Sequence, residues 1–93
     1  MKLSLLEIEF HLPGCRSLKE KRGRLRGLRD RYGKQGNVAL CESDFQNVHD
    51  RSLWSFVIVG TESKIIDQTI ARLQESIEEV VDALVASSRR EDL

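Results

Sequence analysis

Cysteine, proline and aromatic residues are all scarce in this chain, and each scarcity removes a class of protein. The two cysteines, Cys15 and Cys41, form no CxxC pair, whereas small secreted scaffolds use dense, even-numbered frameworks, so no disulfide staple is expected. A zinc site drawn from Cys15, Cys41, His11 and His49 lacks the short-spaced ligand pair that would nucleate it, and neither a metal nor another cofactor is expected. The pattern predicts one loop thiol and one strand cysteine acting as a small hydrophobe. The aromatic residues build no RNP-type run for stacking bases. No apolar run approaches the ~20 residues of a membrane span. Glu7 and Glu9 soon follow Met1-Lys2-Leu3, unlike a secretory leader, so a cytoplasmic location without membrane contact is expected.

Net charge is missing too, but only in sum. Residues 16–34 hold Arg16, Lys19, Lys21, Arg22, Arg24, Arg26, Arg29, Arg31 and Lys34 against Glu20 and Asp30, nine minus two or +7; six basic and thirteen acidic residues give −7 elsewhere. An asymmetry of this size speaks to partners and orientation rather than to fold. With 40% apolar and 32% charged residues, the 93-residue chain has enough apolar content for a core, and residues 1–93 are expected to form one domain.

"KLSLLEIEFHL" (2–12) sets Leu6, Ile8, Phe10 and Leu12 on one side and Glu7, Glu9 and His11 on the other, the period of a half-buried strand. Pro13-Gly14 ends it. Ser17 then reads as an N-cap, with Glu20 completing a capping box. Leu18, Leu25, Leu28 and Tyr32 mark a helix from about Leu18 to Tyr32, closed by the glycines of "YGKQGN". Gly23 and Gly27 project away from that stripe. Lys21 falls almost within it, where its amine is expected to snorkel out. Arg22 and Arg29 flank it and can lay aliphatic stems on the core.

"NVALCESDF" (37–45) and "SLWSFVIVG" (52–60) read as strands joined by a polar hairpin loop around residues 46–50, whose ladder Asp44 and Arg51 can extend. Trp54, Phe56 and Ile58 at period two read as core or a dimer contact. Thr61 or Ser63 can cap a second helix marked by Ile66, Ile70, Leu73 and Ile77. Beyond it, "EVVDALVASSRRED" has no separating glycine, proline or asparagine. Val80, Val81 and Leu84 prolong a helical stripe, while Val81, Ala83 and Val85 alternate as a strand, and periodicity does not choose between them. A final strand completes an α+β, ferredoxin-like βαββαβ arrangement, an antiparallel sheet with both helices on one face.

The basic helix admits three readings. Its arginines can be a solvated face paired with Glu62, Glu75 and Glu78 of the second helix. They can meet a polyanion, most naturally RNA, because a planar guanidinium offers phosphate two donors and keeps its charge. They can dock an acidic protein. For RNA, Arg24, Arg26 and Arg31 would make outward phosphate contacts, with Arg16, Lys19 and Lys34 at the ends and the two glycines admitting the backbone. A fourth feature is the loop "PGCRS" (13–17): helix N-terminal amides with Arg16, Ser17 and Lys19 form an anion pocket. An enzyme using it would also need a group to orient water. Asn37, Asn47 and His49 are candidates, but no glycine-rich motif or nucleophile–base pair supports them, and no catalytic residue is assigned. His49 beside Asp50 reads as polar turn chemistry. Exposed sheet edges make a homodimer a further expectation.

At "LPGCRSLKEKR" and "NVALCESDFQ" the chain resembles the YlxP-like family, a bacterial group of about this length. The likeness runs over roughly residues 3–77, and its most specific stretch is Ser17-Leu18-Lys19-Glu20-Lys21-Arg22. Asn37-Val38, Glu42, Asp44, Gln46 and Arg51 match the next block, but His49 stands where the family commonly has a tryptophan. The resemblance implies the ferredoxin-like fold, a strand for the C-terminal tail, and a gene neighbourhood of translation-initiation and ribosome-maturation factors. It brings no catalytic residue set. The combined expectation is a non-enzymatic domain that contacts ribosomal RNA, a ribosomal subunit or a ribosome-assembly complex through its first helix.

Overall fold

Period two in the first segment does give a strand. In the computed structural model, which describes residues 1–93, β1 runs Lys2–His11 and buries Ser4, Leu6, Ile8 and Phe10 on one side. The other elements are α1 (Leu18–Tyr32), β2 (Val38–Asp44), β3 (Arg51–Gly60), α2 (Ser63–Val80) and β4 (Leu84–Asp92). The strands form one antiparallel sheet in the order β2-β3-β1-β4, a ferredoxin-like topology. The tail is therefore a strand, and it closes the sheet beside β1.

Both helices cover one face of this sheet. Leu6, Ile8 and Phe10 of β1 and Trp54, Phe56 and Ile58 of β3 meet Leu25, Leu28 and Tyr32 of α1 and Ile66, Ile70, Leu73 and Ile77 of α2. Tyr32 packs edge-on against Phe56, and its hydroxyl bonds Ser76 Oγ at 2.6 Å, so the phenol satisfies its polar end within the helix layer. The opposite sheet face is polar along part of β1. Glu7 pairs with Arg89 at 2.9 Å, and Glu9 with Arg51 at 3.0 Å.

Helix ends are where local reading and tertiary packing part. Ser17 Oγ accepts from Glu20 N at 3.0 Å, as a cap should. The Glu20 carboxylate does not complete the box. It turns to Arg24, 3.3 Å away. At α2 neither Thr61 nor Ser63 caps: Glu62 holds the N-cap position and makes no side-chain cap bond.

The end of α2 is set by α1. A side chain at Gly27 would run into the carbonyl oxygen of Val80, so the last turn of α2 approaches α1 where only glycine leaves room. The expectation that Gly27 projects away is corrected by this contact; of the two glycines in α1, Gly23 is the one that faces open space. One turn earlier, Arg24 takes hold of the chain as it leaves α2. Asp82 N donates to Arg24 O at 3.0 Å, and Arg24 Nε donates to Asp82 O at 2.7 Å. These bonds hold Asp82 where β4 must begin.

Candidate nucleic-acid interface

At 100° per residue, Lys19, Arg22, Arg26 and Arg29 recur at +3, +4 and +3 and share the flank of α1 beside edge strand β2. Arg24 and Arg31 lie on the other flank, toward α2. The basic helix is thus two-sided, and its sides differ.

On the α2 side, Arg24 is consumed internally. Besides Asp82, its Nη1 donates to Pro13 O at 3.0 Å, and its side chain is only 16% exposed. The expected outward phosphate contact at Arg24 is corrected to a structural clamp. Arg31 is exposed and lines a groove with Tyr32, Arg72, Glu75 and Glu79.

Lys21 requires a second correction. It does not snorkel out; it is 2% exposed, and its Nζ is caged by oxygen. Glu42 Oε2 and Phe45 O lie at 2.8 Å, Val48 O at 2.7 Å and Arg51 O at 3.3 Å. An ammonium has three N–H bonds, so the three short contacts satisfy it. Ser52 Oγ donates to the same Glu42 oxygen at 2.5 Å. This cage pins the β2–β3 loop under α1. Phe45 there adopts a left-handed φ of 62°, which needs such restraint in a non-glycine residue. Arg51 lies over the Phe45 ring at 4.0 Å.

On the β2 side, Arg22, Arg26 and Arg29 line a groove of about 340 Å³ with Lys21, Leu25, Glu42 and Trp54. The Arg29 guanidinium carbon sits 5.2 Å from the centre of the Trp54 ring, in the cation–π range. Of the two readings its period allowed, core or a dimer contact, Trp54 is core and just 5% exposed, yet its Nε1–H has no hydrogen-bond partner. Sequence reasoning treated Arg22 and Arg29 only as packing residues. Their +7 spacing, with Arg26 between, was the signal for a shared flank.

Arg16, Lys19, Arg22, Arg26, Arg29, Arg31 and Lys34 are exposed and enter no salt bridge. Glu62, Glu75 and Glu78 pair with none of them, which corrects the expectation that the second helix neutralises the first. In the proposed pocket loop, Ser17 Oγ serves the cap, while His49 Nδ1 bonds Cys15 O at 2.7 Å. His49 thus closes the loop instead of forming a dyad with Asp50. The cysteine roles are exchanged: loop Cys15 is buried in the core and strand Cys41 is exposed. No helix is long and apolar enough to cross a membrane.

The two stretches that carried the family resemblance meet at Lys21 and Glu42, in the cage beneath the basic flank. No curated protein matches the chain. From Leu3 in β1 to Arg90 in β4, every element of this architecture lies within a match to the family described as "Protein of unknown function (DUF503)", residues 3–90, and the chain belongs to that family.

Proposed function

We propose that the protein is a non-enzymatic RNA-binding domain that docks on ribosomal RNA, within a ribosomal subunit or assembly complex, through the basic side of α1. One observation carries this reading: seven of the nine basic residues between Arg16 and Lys34 are exposed and have no carboxylate partner in the chain. Outside that segment half of the basic side chains find one: Arg51, Arg89 and Arg90 do, whereas Lys2 on β1 and Lys64 and Arg72 on α2 do not. Unpaired arginines concentrated on one helix repel each other, and a polyphosphate relieves that repulsion by supplying the missing charge. The open sheet face is a poorer platform. Glu7 and Glu9 lie on it, while Phe10, Trp54 and Phe56 are buried on the helix side. The YlxP-like resemblance adds an association with translation-factor genes, which supports the same reading by context.

The test is binding of ribosomal subunits and of a ribosomal RNA fragment across a salt series. Lys19→Glu/Arg22→Glu/Arg26→Glu, all on the β2-side flank of α1, is compared with Lys64→Glu/Arg72→Glu on α2. The first set should lose at least about tenfold in affinity, with a shallower dependence of log K on log salt, by about 0.7–0.9 for each phosphate contact removed. The α2 set should stay near wild type. Equal affinities for both sets would overturn the proposal; selective capture of an acidic protein by the same flank would replace it.

A further inference from the structure

The groove between α1 and β2 combines two features that the general charge of α1 does not explain. The first is convergence. Arg22, Arg26 and Arg29, at +4 and +3 along one flank, reach over the same groove and lack carboxylate partners. The one carboxylate in the groove, Glu42, is already held by Lys21 Nζ and Ser52 Oγ. The second is an unmet donor. Trp54 is nine-tenths buried and lines this groove, and its Nε1–H has no acceptor. Buried N–H groups are nearly always paired, and an orphan beside a groove calls for an acceptor. Both features ask for the same ligand chemistry, an oxyanion with several acceptor oxygens.

We infer that this groove is a phosphate subsite, in which Arg22, Arg26 and Arg29 bind a backbone phosphate of the RNA and Trp54 Nε1–H donates to one of its oxygens. The identity of the ligand rests on the RNA-binding proposal; the subsite rests on the groove. Arg29 covers the indole in the free protein. As its guanidinium turns to the phosphate, it leaves the ring face, and the phosphate takes its place beside the indole. The arginines supply charge and the tryptophan supplies direction, since a single fixed donor on the sheet defines where the phosphate sits along the flank. A protein relying on α1 charge alone would bind RNA in many registers.

Trp54 is the chain's one tryptophan, so its indole N–H gives one assignable resonance. The experiment is a ¹⁵N–¹H titration of the full chain with inorganic phosphate and, separately, with a ribosomal RNA fragment, alongside RNA affinities for Trp54→Phe and Arg26→Ala. The inference expects a saturable downfield shift of the indole proton with both ligands. Trp54→Phe should weaken RNA binding by about threefold to tenfold with an unchanged salt slope, because the lost donor carries no charge. Arg26→Ala should weaken binding and flatten the slope. If RNA moves α1 amides and leaves the indole proton still, the subsite is wrong and RNA binding stands. If phosphate moves the indole but RNA binds nowhere, the subsite stands and the RNA reading falls. If neither ligand moves it and RNA does not bind, both are overturned. The wild-type titration decides even if Trp54→Phe perturbs packing.

Discussion

Lys21 Nζ and Glu42 Oε2 lie 2.8 Å apart beneath α1, and this ion pair ties the basic helix to the edge strand beside it. The pair carries more than its own attraction. Two loop carbonyls, Phe45 O and Val48 O, join Arg51 O at the start of β3 around the ammonium, and Ser52 Oγ donates to the same Glu42 oxygen, so the lysine adds a centre of bonding to a loop whose own backbone bond is Val48 N to Phe45 O. Beneath a surface of unpaired arginines, the single buried lysine fixes the depth and angle at which α1 sits.

Replacing Lys21 by methionine should therefore lower stability by about 3–5 kcal/mol, the usual cost of breaking a buried pair and stranding its partner. Lys21→Arg should also destabilise, since a planar fork does not reproduce a compact ammonium among converging oxygens. Urea unfolding followed by Trp54 fluorescence measures both. A loss below about 1 kcal/mol for Lys21→Met, the range of exposed pairs, would mean that the cage contributes little.

How much of this was legible can be judged from the same residues. The first three strands, the Ser17 cap and the Leu25–Leu28–Tyr32 stripe follow from local rules, because period and capping act over a few residues. Lys21 also lay on the stripe, but its oxygen partners come from residues 42–51, and no local pattern foretells that they converge on it. The end of α2 was illegible for a similar reason. Nothing in "EVVDALV" stops a helix; Gly27 and Arg24, from an element far earlier in the chain, do so through Val80 and Asp82. The charge concentration was plain in the sequence. Its division into a clamped side at Arg24 and a free side at Arg22, Arg26 and Arg29 was not, since it depends on where α2 and β2 flank the helix.

The two helical glycines offer a paired test of that argument. Gly23 has nothing within 4 Å of where a Cβ would stand, so Gly23→Ala should raise stability by about 0.5–1 kcal/mol through helix propensity alone. At Gly27 the same methyl meets Val80 O, which is backbone and does not swing aside. Gly27→Ala should lower stability by about 1–3 kcal/mol, the scale of overpacking, despite the same propensity gain. Thermal unfolding of the two variants should move in opposite directions. A stabilised Gly27→Ala would mean that the end of α2 is not held against α1.

Acid should act first at the far edge of the sheet. Asp92 closes β4: its Oδ1 accepts from Ser4 Oγ at 2.6 Å and from Arg90 Nε at 2.8 Å, while Arg90 Nη2 reaches Asp67 at 2.7 Å. The hydrogen bond from Ser4, followed by that from Arg90, holds the Asp92 carboxyl below its ordinary value of 3.8. A depressed carboxyl stabilises the folded state above its unfolded value, and that contribution fades as pH falls through the lower, folded one. The end of β4 should accordingly loosen below about pH 4, while the β1–β3 centre holds. Amide exchange at Leu93, whose N–H donates to Leu3 O at 2.9 Å, reports this directly as pH is lowered. In Asp92→Asn the exchange should be faster at neutral pH and lose the part of its acid dependence that is absent from amides elsewhere in the sheet. An unchanged acid response in that variant would move the cause to Asp67, the other carboxylate that Arg90 binds.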